Sequence, residues 1–261
     1  MAYVIVSAAS LFVAALTLFS GFGLGTLLLP TFAVFFPIEL AVAATAVVHL
    51  ANNLFKVALV GRKADLGVVL RFALPGFLAA ILGAALLTYF VDVPPLLSYS
   101  LGTATHEITL VKLVIAILII LFALFDIIPQ LSGLAFDRKY LVPGGLLSGF
   151  FGGLSGHQGA LRSAFLTKVG LDKEAFVGTS TVSSAIVDVA RLFVYGAAIF
   201  TTGIDTDGQE VWGTVLAATL FAFLGSFLGA RLLGKVTLQS VRLIVGVMLL
   251  LIGFGLGSGL I

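Results

Sequence analysis

Six stretches of this chain are apolar enough and long enough to cross a bilayer: Ala2 to Ser20, Leu40 to Val60, Val68 to Phe90, Ile108 to Ile128, Phe176 to Phe200 and Trp212 to Leu233. Val241 to Gly259 makes a seventh. A spanning helix needs about 20 predominantly apolar residues, because in hydrocarbon only bonds within the segment can satisfy its backbone. Composition agrees, with 60% hydrophobic and 10% charged residues, whereas a soluble domain carries about 25% charge to cover its surface. The chain therefore reads as an all-α polytopic membrane protein in which residues 1–261 form one transmembrane domain embedded in lipid. Met1 to Ser20 lacks a basic n-region, so it is expected to stay as the first span and not to be cleaved as a signal peptide.

Charge and cysteine content narrow the chemistry. A formal net charge of only +2, with no basic patch interleaved with aromatics, gives no reason to expect a nucleic-acid partner. There is no Cys, and His49, His106 and His157 lie far apart in the chain. No metal or other cofactor is expected from such a set.

Two further regions, Gly21 to Phe36 and Leu141 to Gly170, are apolar but interrupted by glycine. Their cores read Ser20-Gly21-Phe22-Gly23-Leu24-Gly25-Thr26 and Gly149-Phe150-Phe151-Gly152-Gly153-Leu154-Ser155-Gly156-His157-Gln158-Gly159. Small residues let helices pack closely. Glycine also permits a broken helix, tolerated at membrane depth only where it faces protein or a hydrated cavity. The segments Leu24 to Phe36 and Ala160 to Val169 are then short arms of two hairpins.

The breaks occupy matching places. Thr45, His49, Asn53 and Lys56 pair with Ser180, Ser184, Asp188 and Arg191 at a constant spacing of 135 positions, which Gly61 and Gly196 share. This correspondence suggests internal repeats at about 1–128 and 138–261. Lys and Arg favour cytoplasmic loops, which places Arg62, Lys63 and Arg71, then Arg138 and Lys139, then Arg231, Lys235 and Arg242 inside. Asp92 and the loop with Asp205, Asp207 and Glu210 belong outside. Both sets agree if each break is a hairpin, which gives five elements per repeat, an inverted second half and about ten membrane segments, falling toward about eight if the arms do not return.

Thr45, His49, Asn52, Asn53 and Lys56 lie on one helical face, and Ser180, Ser184, Asp188 and Arg191 on another. An ionisable residue in a spanning helix costs at least about 2.5–3.5 kcal/mol on insertion scales, so it faces a cavity or a partner. Snorkelling to the interface is the structural alternative for Lys56 and Arg191, an interhelical bond for His49, and an ion pair with Arg191 for Asp188. Two matched polar faces, each following a glycine break, point instead to a central, positively biased site for a small anionic solute. Gly21, Gly23, Gly25, Thr26, Gly153, Ser155, Gly156, His157, Gln158 and Arg162 would complete it from the breaks, where freed N–H groups favour an anion.

The segment Ser20 to Thr26 followed by Pro30, the helix around Ala43-Ala44-Thr45, the segment Gly149 to Gly159, and Val177-Gly178-Thr179-Ser180 together resemble the sulfite exporter TauE/SafE family, also described as toluene sulfonate uptake permeases. The likeness covers nearly the whole chain. It implies a multi-pass transporter of the cytoplasmic membrane handling sulfite, sulfonates or sulfoacetate-type anions. His157 and Gln158 stand where the family pattern leads one to expect smaller or more apolar residues. The residues lead to a secondary anion transporter coupled to an ion gradient, with a proton as a candidate ion, since no Gly-x-x-x-x-Gly-Lys-Ser/Thr sequence is present. A homo-oligomer is compatible with this. An anion channel or an intramembrane enzyme using His49, His157 or Asp188 are the competing classes.

Overall fold

The computed structural model describes residues 1–17, 24–202, 208–232 and 238–261. Within them the chain is mostly helical: α1 (Ala2–Thr17), α2 (Leu24–Ala33), α3 (Ile38–Val60), α4 (Leu66–Val91), α5 (Leu110–Ile127), the single turn α6 (Pro129–Ser132), α7 (Leu141–Ser155), α8 (Gly159–Leu166), α9 (Lys173–Thr202), α10 (Gly208–Leu232) and α11 (Leu238–Gly257). Leu40–Lys63, Leu66–Val91, Lys173–Ala198 and Glu210–Gly229 are long and apolar enough to cross a membrane, while Ala2–Ala15, Leu110–Phe125 and Gly246–Gly257 are apolar but shorter. These seven lie where the seven apolar stretches of the sequence lie.

The helix faces are arranged as lipid requires. On α4, Leu66, Leu70, Leu74, Leu78 and Leu82 recur every fourth residue and all are exposed, while Phe72, Gly76, Ala80 and Gly83 are buried. In water such a leucine row would be a sticky patch; against acyl chains it is the matching surface.

Small residues set how closely the helices approach. A Cβ on Gly145, Gly149 or Gly153 of α7 would lie 2.0, 2.1 and 2.1 Å from the backbone carbonyl oxygens of Phe72, Gly76 and Ala80 of α4. No side chain fits there, so this every-fourth-residue glycine seam joins two backbones directly. The seam of α10 on α1 is built alike, since a Cβ on Gly225 or Gly229 would meet the carbonyl oxygens of Leu11 and Ala15 at 2.2 and 2.5 Å. Around these seams α9 packs on α3, α4, α7 and α8, α3 packs on α2 and α10, and α5 packs on α11.

The connection from α7 to α8 turns at Gly156, whose φ of 80° is the left-handed conformation that glycine adopts without steric cost. Its N–H donates to the Gly152 carbonyl at 2.9 Å, and α8 begins at Gly159. The other glycine segment, from Ser20 to Gly23, lies outside the described residues.

One element departs from the all-helical expectation. Leu97–Leu101 and Ala104–Ile108 pair as an antiparallel hairpin with Gly102 in its turn at φ 65°. The Tyr99 hydroxyl donates to the Ser258 carbonyl at 2.6 Å and His106 Nδ1 to the Gly259 carbonyl at 3.1 Å, so the hairpin rests on the end of α11. The span expected from Ile108 therefore starts later, at Leu110, where the Thr109 side chain caps the helix by accepting from the Lys112 N–H at 3.2 Å.

Candidate functional site

The two polar faces meet. α3 and α9 run antiparallel, because Asn53 bonds Ser184 and Asp188 while, further along, the Asp65 N–H donates to Thr179 Oγ1 at 2.9 Å. Asp188, with no exposed surface, is the hub. Its Oδ2 accepts from His49 Nδ1 at 2.8 Å and Asn53 Nδ2 at 2.7 Å, and its Oδ1 accepts from Arg191 Nη2 at 2.9 Å and Gln158 Nε2 at 3.3 Å. A carboxylate offers about four lone-pair positions, and all are taken. Since Nδ1 of His49 must carry the proton it gives to Asp188, the approaches of Asn53 Nδ2 (3.3 Å) and Arg191 Nη2 (3.4 Å) to that nitrogen are contacts and not hydrogen bonds. Asn53 gives its second amide proton to Ser184 Oγ at 2.9 Å.

The start of α8 is tied into the same network. Arg162 donates from Nε to Ser180 Oγ at 2.8 Å and from Nη1 to Gln158 Oε1 at 3.0 Å, and Ser148 Oγ donates to the Gln158 carbonyl at 3.0 Å. Lys56 differs from every other charged member. It is 9% exposed, yet among the described residues its ammonium has neither a hydrogen-bond partner nor a carboxylate in ion-pair range; its electrostatic neighbours are Arg162, which repels it, and Asp188. An ammonium brings three donors, and at 9% exposure little water can serve them.

Other residues singled out in the sequence cluster toward the Arg191 end. A Cβ on Gly25 would lie 3.4 Å from His49 Cδ2 and 3.7 Å from the Gly156 carbonyl oxygen, and one on Gly156 would lie 2.6 Å from Arg191 Nη1. His157 Nδ1 donates to the Ser155 carbonyl at 3.0 Å, and its ring stacks on Phe122 with centroids 5.9 Å apart. Ser155 Oγ donates to the Phe151 carbonyl at 3.2 Å. Thr45 is buried, and its hydroxyl has no partner among the described residues. Gly153 lies in the seam with α4, and its carbonyl accepts from the Tyr195 hydroxyl. Thr26 belongs to α2, but its side chain, like Gly21 and Gly23, lies outside what is described.

Lys56 and Arg191 are covered by protein, at 9% and 1% exposure. Four participants escaped the sequence reading, among them Ser148 at the Gln158 carbonyl. Tyr195 stands one turn beyond Arg191 on the polar face of α9 and carries a signal at that spacing. Ser226 of α10, which donates to Asn52 Oδ1 at 2.8 Å, and Phe122 carry none.

A buried network with three cationic side chains, Lys56, Arg162 and Arg191, around one carboxylate sits between helices with apolar outer faces. The family model described as Sulfite exporter TauE/SafE matches residues 6–256, nearly the whole chain. The chain belongs to this family. As a TauE/SafE member it is a multi-pass membrane protein of a family of sulfite-exporter-type transporters. No curated protein and no solved structure matches it.

Proposed function

We propose that the protein is a secondary transporter of small sulfur-containing oxyanions of the sulfite type in the cytoplasmic membrane. The anion is held between α3, α8 and α9 beside Lys56 and Arg162. The observation that carries this reading is Lys56, a residue 9% exposed whose ammonium has no acid or acceptor among the described residues and stands beside a second cation. An oxyanion supplies both the missing charge and the missing acceptors, through charge-assisted bonds that neutral ligands cannot match. The family assignment supplies the sulfur chemistry, and the lack of a phosphate-binding loop sequence favours an ion gradient as the energy source.

The repeat with inverted halves belongs to the same proposal. It is supported by packing: under the correspondence of α1 to α5 with α7 to α11, the α1–α10 seam maps onto the α7–α4 seam, and the α3–α9 and α5–α11 pairs map onto themselves. Single cysteines at Thr206 and Ala64, labelled with an impermeant reagent on intact cells, test the sidedness. Labelling of both from one side contradicts the inverted layout. For transport, purified protein in liposomes loaded with sulfite should show saturable efflux stimulated by a pH gradient. Flux that never saturates identifies a channel, and no sulfite flux from folded protein removes the proposal.

A further inference from the structure

Among the described residues six buried side-chain polar atoms have no partner, and three of them, Thr45 Oγ1, Arg191 Nε and His157 Nε2, belong to residues grouped around Gly25, His49 and Gly156. Their side chains are 1%, 1% and 3% exposed. Buried polar groups are nearly always hydrogen-bonded, and one left unsatisfied costs the desolvation of that group. Thr45 lies one turn before His49 on the polar face of α3, Arg191 Nη2 lies 3.4 Å from His49 Nδ1, and the Arg191 guanidinium lies against Gly156, the residue preceding His157. These groups belong to the opposite end of the α3–α9 pair from Lys56. Eleven residues separate Thr45 from Lys56 on one helix, about 16 Å at 1.5 Å per residue.

We infer that the chain holds a second oxyanion station, formed by Thr45, Arg191 and His157, in line with the one at Lys56 and Arg162. The inference rests on the anion-transport reading and deepens it: the path has two stations and not one central seat. Arg191 Nε–H donates and the Thr45 hydroxyl donates or accepts. His157 Nε2 is an acceptor, because Nδ1 gives its proton to the Ser155 carbonyl. The occupant must therefore bring a hydrogen of its own, which a hydroxyl-bearing oxyanion or a hydrated one does. Arg191 is already paired with Asp188, so this station has no uncompensated charge and binds more weakly than the one at Lys56. Two stations of unequal strength suit passage, since an anion must be able to leave as well as enter.

The test is calorimetric titration of detergent-purified protein with sodium sulfite under nitrogen, on the wild type, Lys56→Gln and Thr45→Val. The wild type should bind two sulfites per chain, with the weaker at least tenfold below the stronger, and each variant should bind one. Thr45→Val exchanges an unpartnered buried hydroxyl for a methyl, so without sulfite it should unfold at or above the wild-type temperature, which separates loss of a site from loss of the fold. One sulfite per wild-type chain overturns the second station and leaves the transport reading standing. No binding to folded wild type overturns both.

Discussion

The two ends of the α3–α9 pair are built on one plan and charged differently. Asn53 to Ser184 on one side and Asp188 to His49 on the other are the same contact seen from each helix, since each member lies 135 positions from its counterpart. Lys56 follows Asn53 by three residues as Arg191 follows Asp188. The single exchange of an amide for a carboxylate decides the electrostatics: Asp188 neutralises Arg191 at 2.9 Å, while Asn53 can do nothing for Lys56. Matched geometry thus carries one cation paired with a carboxylate and one that has none among the described residues.

Asp188→Asn erases that difference and should have the largest effect. It leaves Arg191 buried without its carboxylate, at a cost of about 3–5 kcal/mol, seen as a marked fall in thermal unfolding temperature in detergent. Adding Arg191→Gln should recover part of it. A single variant as stable as the wild type would mean that the two ends are not distinguished by this pair. Lys56→Gln acts at the other end and should lower sulfite affinity at least tenfold, about 1.4 kcal/mol, with no loss of stability because the lost charge has no partner among the described residues. Unchanged affinity would place the anion elsewhere. Gly156→Ala sharpens the contrast from the backbone. A methyl there meets Arg191 Nη1 at 2.6 Å at a φ of 80°, which should cost about 1–2 kcal/mol from the left-handed conformation and disturb the Arg191 end while sparing Lys56. Ser184→Ala removes only one acceptor of Asn53 and should cost about 1 kcal/mol; a larger loss by chemical unfolding would show that Asn53 depends on Ser184 more than on Asp188.

The spans were legible because apolar runs of about 20 residues have few alternatives, and the polar faces because five polar residues on one side of α3 stand out from an apolar background. Their mutual docking was not. Which residues of α9 meet His49 depends on helix register, and the every-fourth-residue glycines of the neighbouring seams do not say which helix they will meet. Gly153 shows the ambiguity: its position in the break reads equally as a ligand-facing turn or a packing surface, and the structure places it against the Ala80 carbonyl. The hairpin at 97–108 was illegible for another reason. Its residues, Leu97-Ser-Tyr-Ser-Leu and Ala104-Thr-His-Glu-Ile, make a strand pair too short to announce itself beside a long apolar helix that begins two residues later.

The seams also say which parts of the molecule move together. Backbones in direct contact cannot slide without lifting a whole ridge over a carbonyl row, so α4 with α7 forms one stiff unit that carries α8 and α9, and α1 with α10 forms another that carries α2 and α3. Each unit borrows one long helix from the other end of the chain. Between them, α3 meets α9 through the bonds from Asn53 and His49 to Ser184 and Asp188. A rocking motion of one unit on the other would strain those few polar bonds first while the seams stayed shut, so the joint between the units coincides with the buried polar network.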